Sequence, residues 1–259
     1  RLARLAGSQG SGVTAESTIA SGGRYSSSGE ALRGGTLEAL GAPALVLGSG
    51  YVGFGALAGD AGIPVLLAAL ATPMIVALPA QIIMVEMWQV SAPLLALVLA
   101  VMMSNARFLP MTATLLPQLR HPRWSAWHYA LATHLVAMSG WAIAMRRNME
   151  MQPEHRLPFF CGFSITCVFA CLAGTLLGYY MSEMFHRLVT VGLIFLNPIY
   201  FILILTRETR TRLGIVALAC GALAGPLVHS WIPAWSLIVS GILAGSLAFL
   251  IIELSGARK

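Results

Sequence analysis

From Gly41 to Ile252 the chain is a nearly continuous apolar stretch, cut at close to regular intervals by short polar breaks of up to five charges each. Hydrocarbon about 30 Å thick needs roughly 20 apolar residues per crossing helix, so a stretch of this length divides into seven or eight segments. Hydrophobic residues make up 57% of the chain and charged residues 10%, where a soluble domain carries roughly 25% charged residues. These features predict an all-α, polytopic transmembrane helix bundle in a lipid bilayer. A net charge of +6 does not point to nucleic acid, because the basic residues fall singly or in twos and threes between apolar runs, as loop markers do.

Two regions are expected. Residues 1–38 are rich in Gly and Ser and have no apolar run long enough to fold or insert, which predicts a disordered N-terminal arm. Residues 39–259 form the membrane domain, with expected spans Leu40 to Gly59, Ala61 to Ile83, Pro93 to Leu116, Trp127 to Met145, Pro158 to Met181, Leu188 to Leu205, Leu213 to Val228 and Pro233 to Ile252. Very short breaks at Asp60 and at Ser230 to Ile232 leave room for tight hairpins or half-crossing pieces. With eight crossings, twelve Lys and Arg residues collect on the side of both termini, while Arg120, Arg123 and Arg187 fall on the other. The positive-inside rule then places the N-terminus in the cytoplasm.

Four pairs of glycines spaced by four (Gly55 and Gly59, Gly174 and Gly178, Gly221 and Gly225, Gly241 and Gly245) predict close helix approach. The sequence GALAG occurs at both Gly55 to Gly59 and Gly221 to Gly225, a hint of an internal repeat of the inverted kind that transporters use. The four cysteines have no His or carboxylate neighbours that would complete a metal set, so no metal and no cofactor is expected.

Candidate functional residues are those that lipid-depth protein should not contain without a reason. Pro73 and Pro79 remove backbone donors within the second expected span, and Gln81 adds an amide there, so discontinuous helices lining a cavity are expected. Arg107 lies near the middle of the third span, where an arginine costs about 2.5 kcal/mol or more. Its partner is a buried carboxylate, backbone carbonyls or the carboxylate of a bound molecule, which leaves a pathway role and a structural ion pair both open. Asn105 shares that site if the helix is broken near Pro110. His134 reads either as a proton carrier or as a neutral imidazole bonded to a carbonyl, and Glu86 either as a pathway carboxylate or as an interface residue. In Leu188 to Leu205, Asn197-Pro198 predicts another break, with Asn197 a further candidate.

Residues 53–63 (GFGALAGDAGI) resemble the FGxLAxxAGL stretch near the start of AzlC-type proteins, the larger subunits of bacterial branched-chain amino acid exporters. Ala77 to Gln81 (ALPAQ) stands where that family has AGSAQ, and Ser104 to Phe108 where it has N-x-R-H. Ala77, Ala80, Gln81, Asn105 and Arg107 are kept. Leu78 and Pro79 replace the motif's Gly and Ser, Phe108 replaces its His, and Thr133 with His134 stands in place of an acidic pair in the fourth segment.

The resemblance implies export of a branched-chain or similar small apolar amino acid across the bacterial cytoplasmic (inner) membrane by alternating access, with a small AzlD-type membrane subunit as partner. On that basis Arg107, Asn105, Gln81, Ala77, Pro79, Ala80 and Asn197 are the expected substrate-binding residues, and His134 and Glu86 the coupling residues. The competing classes are a non-transporting membrane subunit and a membrane-embedded enzyme, but the chain shows no clustered nucleophile, paired acids or metal set. It also has no GxxxxGK[ST] phosphate loop.

Overall fold

The computed structural model describes residues 25–184, 186–208, 212–231 and 236–254. Among these residues there are twelve α-helices and no strand, in agreement with the all-α expectation. In chain order they are α1 (Ser28–Ala39), α2 (Ala42–Asp60), α3 (Val65–Ile75), α4 (Leu78–Gln89), α5 (Leu94–Asn105), α6 (Phe108–Leu119), α7 (Ala126–His134), α8 (Met138–Arg147), α9 (Pro153–Tyr180), α10 (Arg187–Glu208), α11 (Arg212–Trp231) and α12 (Ser236–Leu254). Helices α2 and α9 are each long and apolar enough to cross a membrane, and α5 with α6 makes a third such element bent by 50°. The second, third and fourth expected spans are each broken into two helices.

Small residues set the central contact. A Cβ on Gly55 would run into the backbone of Thr175 and Tyr179, and one on Gly178 into that of Val52. Helices α2 and α9 therefore touch backbone to backbone. Their pairings, Gly48 with Gly174, Val52 with Gly178 and Gly59 with Ser182, rise together, so the two helices run parallel. The glycines at 225, 241 and 245 have no atom within 4 Å of a built Cβ, so the later pairs do not make this kind of contact.

The remaining directions follow from hydrogen bonds. On α6 and α8, Trp141 Nε1 donates to Thr114 Oγ1 at 3.0 Å and Asn148 Nδ2 to Gln118 Oε1 at 3.3 Å, so these two helices run parallel. Gln118 also accepts from Arg156 at the start of α9 through its backbone carbonyl, 3.2 Å away. Since α7 lies between two parallel helices in the chain, the chain reverses direction between α7 and α8, which together form a hairpin. Trp127 to Met145, expected as one crossing, enters and leaves at the same end of α9.

A second hairpin faces the first. Helix α3 starts at the C-terminal end of α9, where Tyr179 OH donates to the carbonyl of Ile63 at 2.8 Å. Helix α6 heads for the N-terminal end of α9, and α5 leads into it with a 50° bend, so α5 starts at the C-terminal end. Residues 90–93, with Ser91 at φ +50°, join α5 to α4 by a tight turn. Helix α4 therefore returns to the end from which α3 departed.

The N-terminal arm needs correction over residues 25–38. Ser27 caps α1 by accepting from the Glu30 N–H, and Ala31, Gly35 and Ala39 are buried. Glycines suggested a chain unable to order itself, yet Gly35 is what lets α1 lie against the backbone of Phe159 and Phe163 on α9. Glu38 fixes the far end of α1 through Arg147, 2.8 Å away. Residues 1–24 lie outside the described residues.

Candidate functional site

Three helix breaks meet at one cavity of about 440 Å³, a volume in the range of small-molecule sites. Val76 and Ala77 contribute from the α3–α4 break, Arg107 from the α5–α6 break, and Leu135 and Ala137 from the α7–α8 break. The middle of α9 closes one side and α10 another, and most of the wall is apolar.

The first break has a local cause. Val76 sits in the left-handed region at φ +48° and ends α3. A β-branched residue there stores strain of about 1–3 kcal/mol. Pro79 lies in the first turn of α4, where its missing N–H costs nothing. Ala106 and Arg107 are the two residues between α5 and α6, with Arg107 at the N-cap of α6. Among the described residues no carboxylate pairs with it, and its guanidinium carbon lies 5.2 Å from the Phe108 ring centroid.

Of the expected binding residues, Arg107, Ala77 and Pro79 line the cavity. Ala80 and Gln81 sit just behind that wall, fully buried on α4, and both amide atoms of Gln81 lack a partner. Asn105 Oδ1 is likewise buried without a partner at the end of α5, outside the cavity wall. The side chain of Asn197 lies outside the described residues, although its neighbour Pro198 lines the cavity. His134 bonds through Nε2 to the carbonyl of Pro73 at 2.8 Å, a contact that either a neutral or a protonated imidazole makes, and Glu86 is exposed on α4.

Several lining residues had no sequence signal of their own. Tyr51, Phe163, Cys167, Ser139, Gly140 and Ser164 all line the cavity, and each is of a residue type ordinary in an apolar helix. The tips of the two hairpins also share a pattern not anticipated: Val76-Ala77-Leu78-Pro79-Ala80 in one and Val136-Ala137-Met138-Ser139-Gly140 in the other.

Apolar helices of spanning length, interrupted segments meeting at an internal cavity and an unpaired arginine in its wall define a multi-pass membrane protein. The family model described as AzlC protein matches residues 44–185, over half of the chain. The chain therefore belongs to the AzlC family, a transport-associated family. No curated protein and no solved structure matches it.

Proposed function

We propose that this protein exports a small apolar amino acid, of the branched-chain type, across the bacterial cytoplasmic membrane by alternating access. The observation that carries the reading is Arg107, a permanent cation with no carboxylate partner among the described residues, set in the wall of a largely apolar cavity. A zwitterion with an aliphatic side chain fits that chemistry, since its carboxylate answers the guanidinium and its side chain the apolar wall. Among the described residues, the cavity wall contains no histidine and no carboxylate, which disfavours an enzyme. A small AzlD-type subunit is the proposed partner.

In this reading α3–α4 and α7–α8 are re-entrant hairpins entering from opposite faces, and the chain crosses six times. Polar breaks support that count. Arg120 and Arg123, on the α6–α7 loop, join the twelve basic residues on the cytoplasmic side, and only Arg187 remains outside. The similar tips at Val76 to Ala80 and Val136 to Gly140 make the hairpins the inverted pair, in place of the two GALAG segments. Between them they close the cavity from either side in turn.

The test is counterflow of radiolabelled leucine in proteoliposomes containing the protein and its small neighbour. Exchange of leucine with valine or methionine is the expected result. Absence of exchange, together with unchanged intracellular leucine pools on deleting both genes, would remove the exporter reading.

A further inference from the structure

The N-terminus of α8 opens into the cavity with its donors free. Its first intrahelical bond runs from the Trp141 N–H to the carbonyl of Ala137, at 2.8 Å, so the N–H groups of Met138, Ser139 and Gly140 have no acceptor within the helix. Ala137 has no side-chain oxygen to cap them. All three residues line the cavity.

A second group points to the same place. Ser164, on α9, is 4% exposed, lines the cavity, and has no hydrogen-bond partner for its hydroxyl. Thr166 and Thr175 on the same helix each donate to the carbonyl four residues back, at 2.7 and 3.0 Å, whereas Ser164 leaves that bond unmade. Its oxygen would lie 3.0 Å from a Cβ built on Gly140, so the hydroxyl stands directly against the first turn of α8. The matching turn of α4 is poorer, because Pro79 has no N–H and Leu78 and Ala80 bring no hydroxyl.

We propose that the carboxylate of the transported molecule docks on the first turn of α8, against the N–H groups of Met138, Ser139 and Gly140 and the hydroxyl of Ser164, with Arg107 as its counter-charge. This deepens the exporter reading and rests on it. A helix N-terminus favours an anion through its free donors and its dipole, and a hydroxyl donor adds a charge-assisted bond. The second hairpin thus selects for the carboxylate, while the apolar wall selects the side chain.

The experiment is equilibrium binding of leucine and of leucinamide to the protein purified together with its small neighbour in nanodiscs, with Ser164→Ala and Gly140→Ala beside the wild type. Ser164→Ala removes one bond to a charged group and is expected to weaken leucine binding about tenfold or more, with leucinamide binding unchanged. Gly140→Ala crowds Ser164 and weakens leucine in the same selective way. If the wild type binds leucine and both variants bind it equally well, the docking proposal falls and the exporter reading stands. If the wild type binds no leucine, the exporter reading falls and takes the proposal with it.

Discussion

The Nε2 atom of His134 lies 2.8 Å from the carbonyl oxygen of Pro73, and this bond ties the tips of the two opposed hairpins together. Pro73 carries one of the last four carbonyls of α3, which have no donor within their own helix. His134→Ala leaves that oxygen without its partner, at a cost of about 1–3 kcal/mol. The expected outcome is a lower midpoint of thermal unfolding in detergent, recovered in large part by His134→Gln. An unchanged midpoint in His134→Ala would show that the bond fastens nothing.

Opposed hairpins and eight full crossings put two loops on different sides of the membrane. The loop around Arg123 and Ser125 is cytoplasmic in the hairpin arrangement and external with eight crossings, and the turn at Ser91 is the reverse. Single cysteines at Ser125 and Ser91, in a background lacking the four native cysteines, should therefore react with an impermeant maleimide in whole cells only at position 91. Labelling at 125 and protection at 91 would restore eight crossings.

Much of the site was legible because its chemistry contradicts its surroundings. Arg107 is costly at lipid depth and a proline is costly inside an unbroken helix, and that expected cost is what made Arg107, Pro73 and Pro79 visible in an apolar sequence. The α7–α8 break carried no such mark, since Leu135, Val136 and Ala137 are ordinary apolar residues and the contacts that flank it, His134 with Pro73 and Gly140 with α9, join residues distant in sequence. Hydropathy also cannot tell a segment that passes through from one that turns back, so Trp127 to Met145 read as a crossing. In the proposed topology the positions of Arg120 and Arg123 carry that information, but only once the direction of α6 is given. Glycine misled in the opposite sense at Gly35, where the missing side chain is what orders α1.

Glycine contacts on α9 should be far less tolerant than those on α11. Gly178→Ala sets a methyl against the backbone of Val52, which cannot move without separating α2 from α9, and overpacking of this kind costs about 1–3 kcal/mol or more. Gly225→Ala meets nothing within 4 Å and should leave stability equal or slightly raised, by up to about 1 kcal/mol from helix propensity. Monodispersity and unfolding midpoint of the two variants in one detergent check the contrast. Equal tolerance would mean that the α2–α9 contact is looser than its glycines indicate.

Arg107 separates function from structure by the sign of its effect on stability. A buried cation held in a structural ion pair leaves its partner exposed to a penalty when removed, and such a loss costs about 3–5 kcal/mol. Here no carboxylate pairs with the guanidinium among the described residues, while burial of the charge itself is unfavourable by about 2.5 kcal/mol or more. Arg107→Ala should therefore unfold at the wild-type temperature or above it, while its initial rate of leucine counterflow falls at least about tenfold, as expected for loss of a bond to a carboxylate. Arg107→Lys keeps the charge without the planar fork and should fall between the two. A variant that transports normally but unfolds more easily would place Arg107 in the scaffold and leave the cavity without its counter-charge.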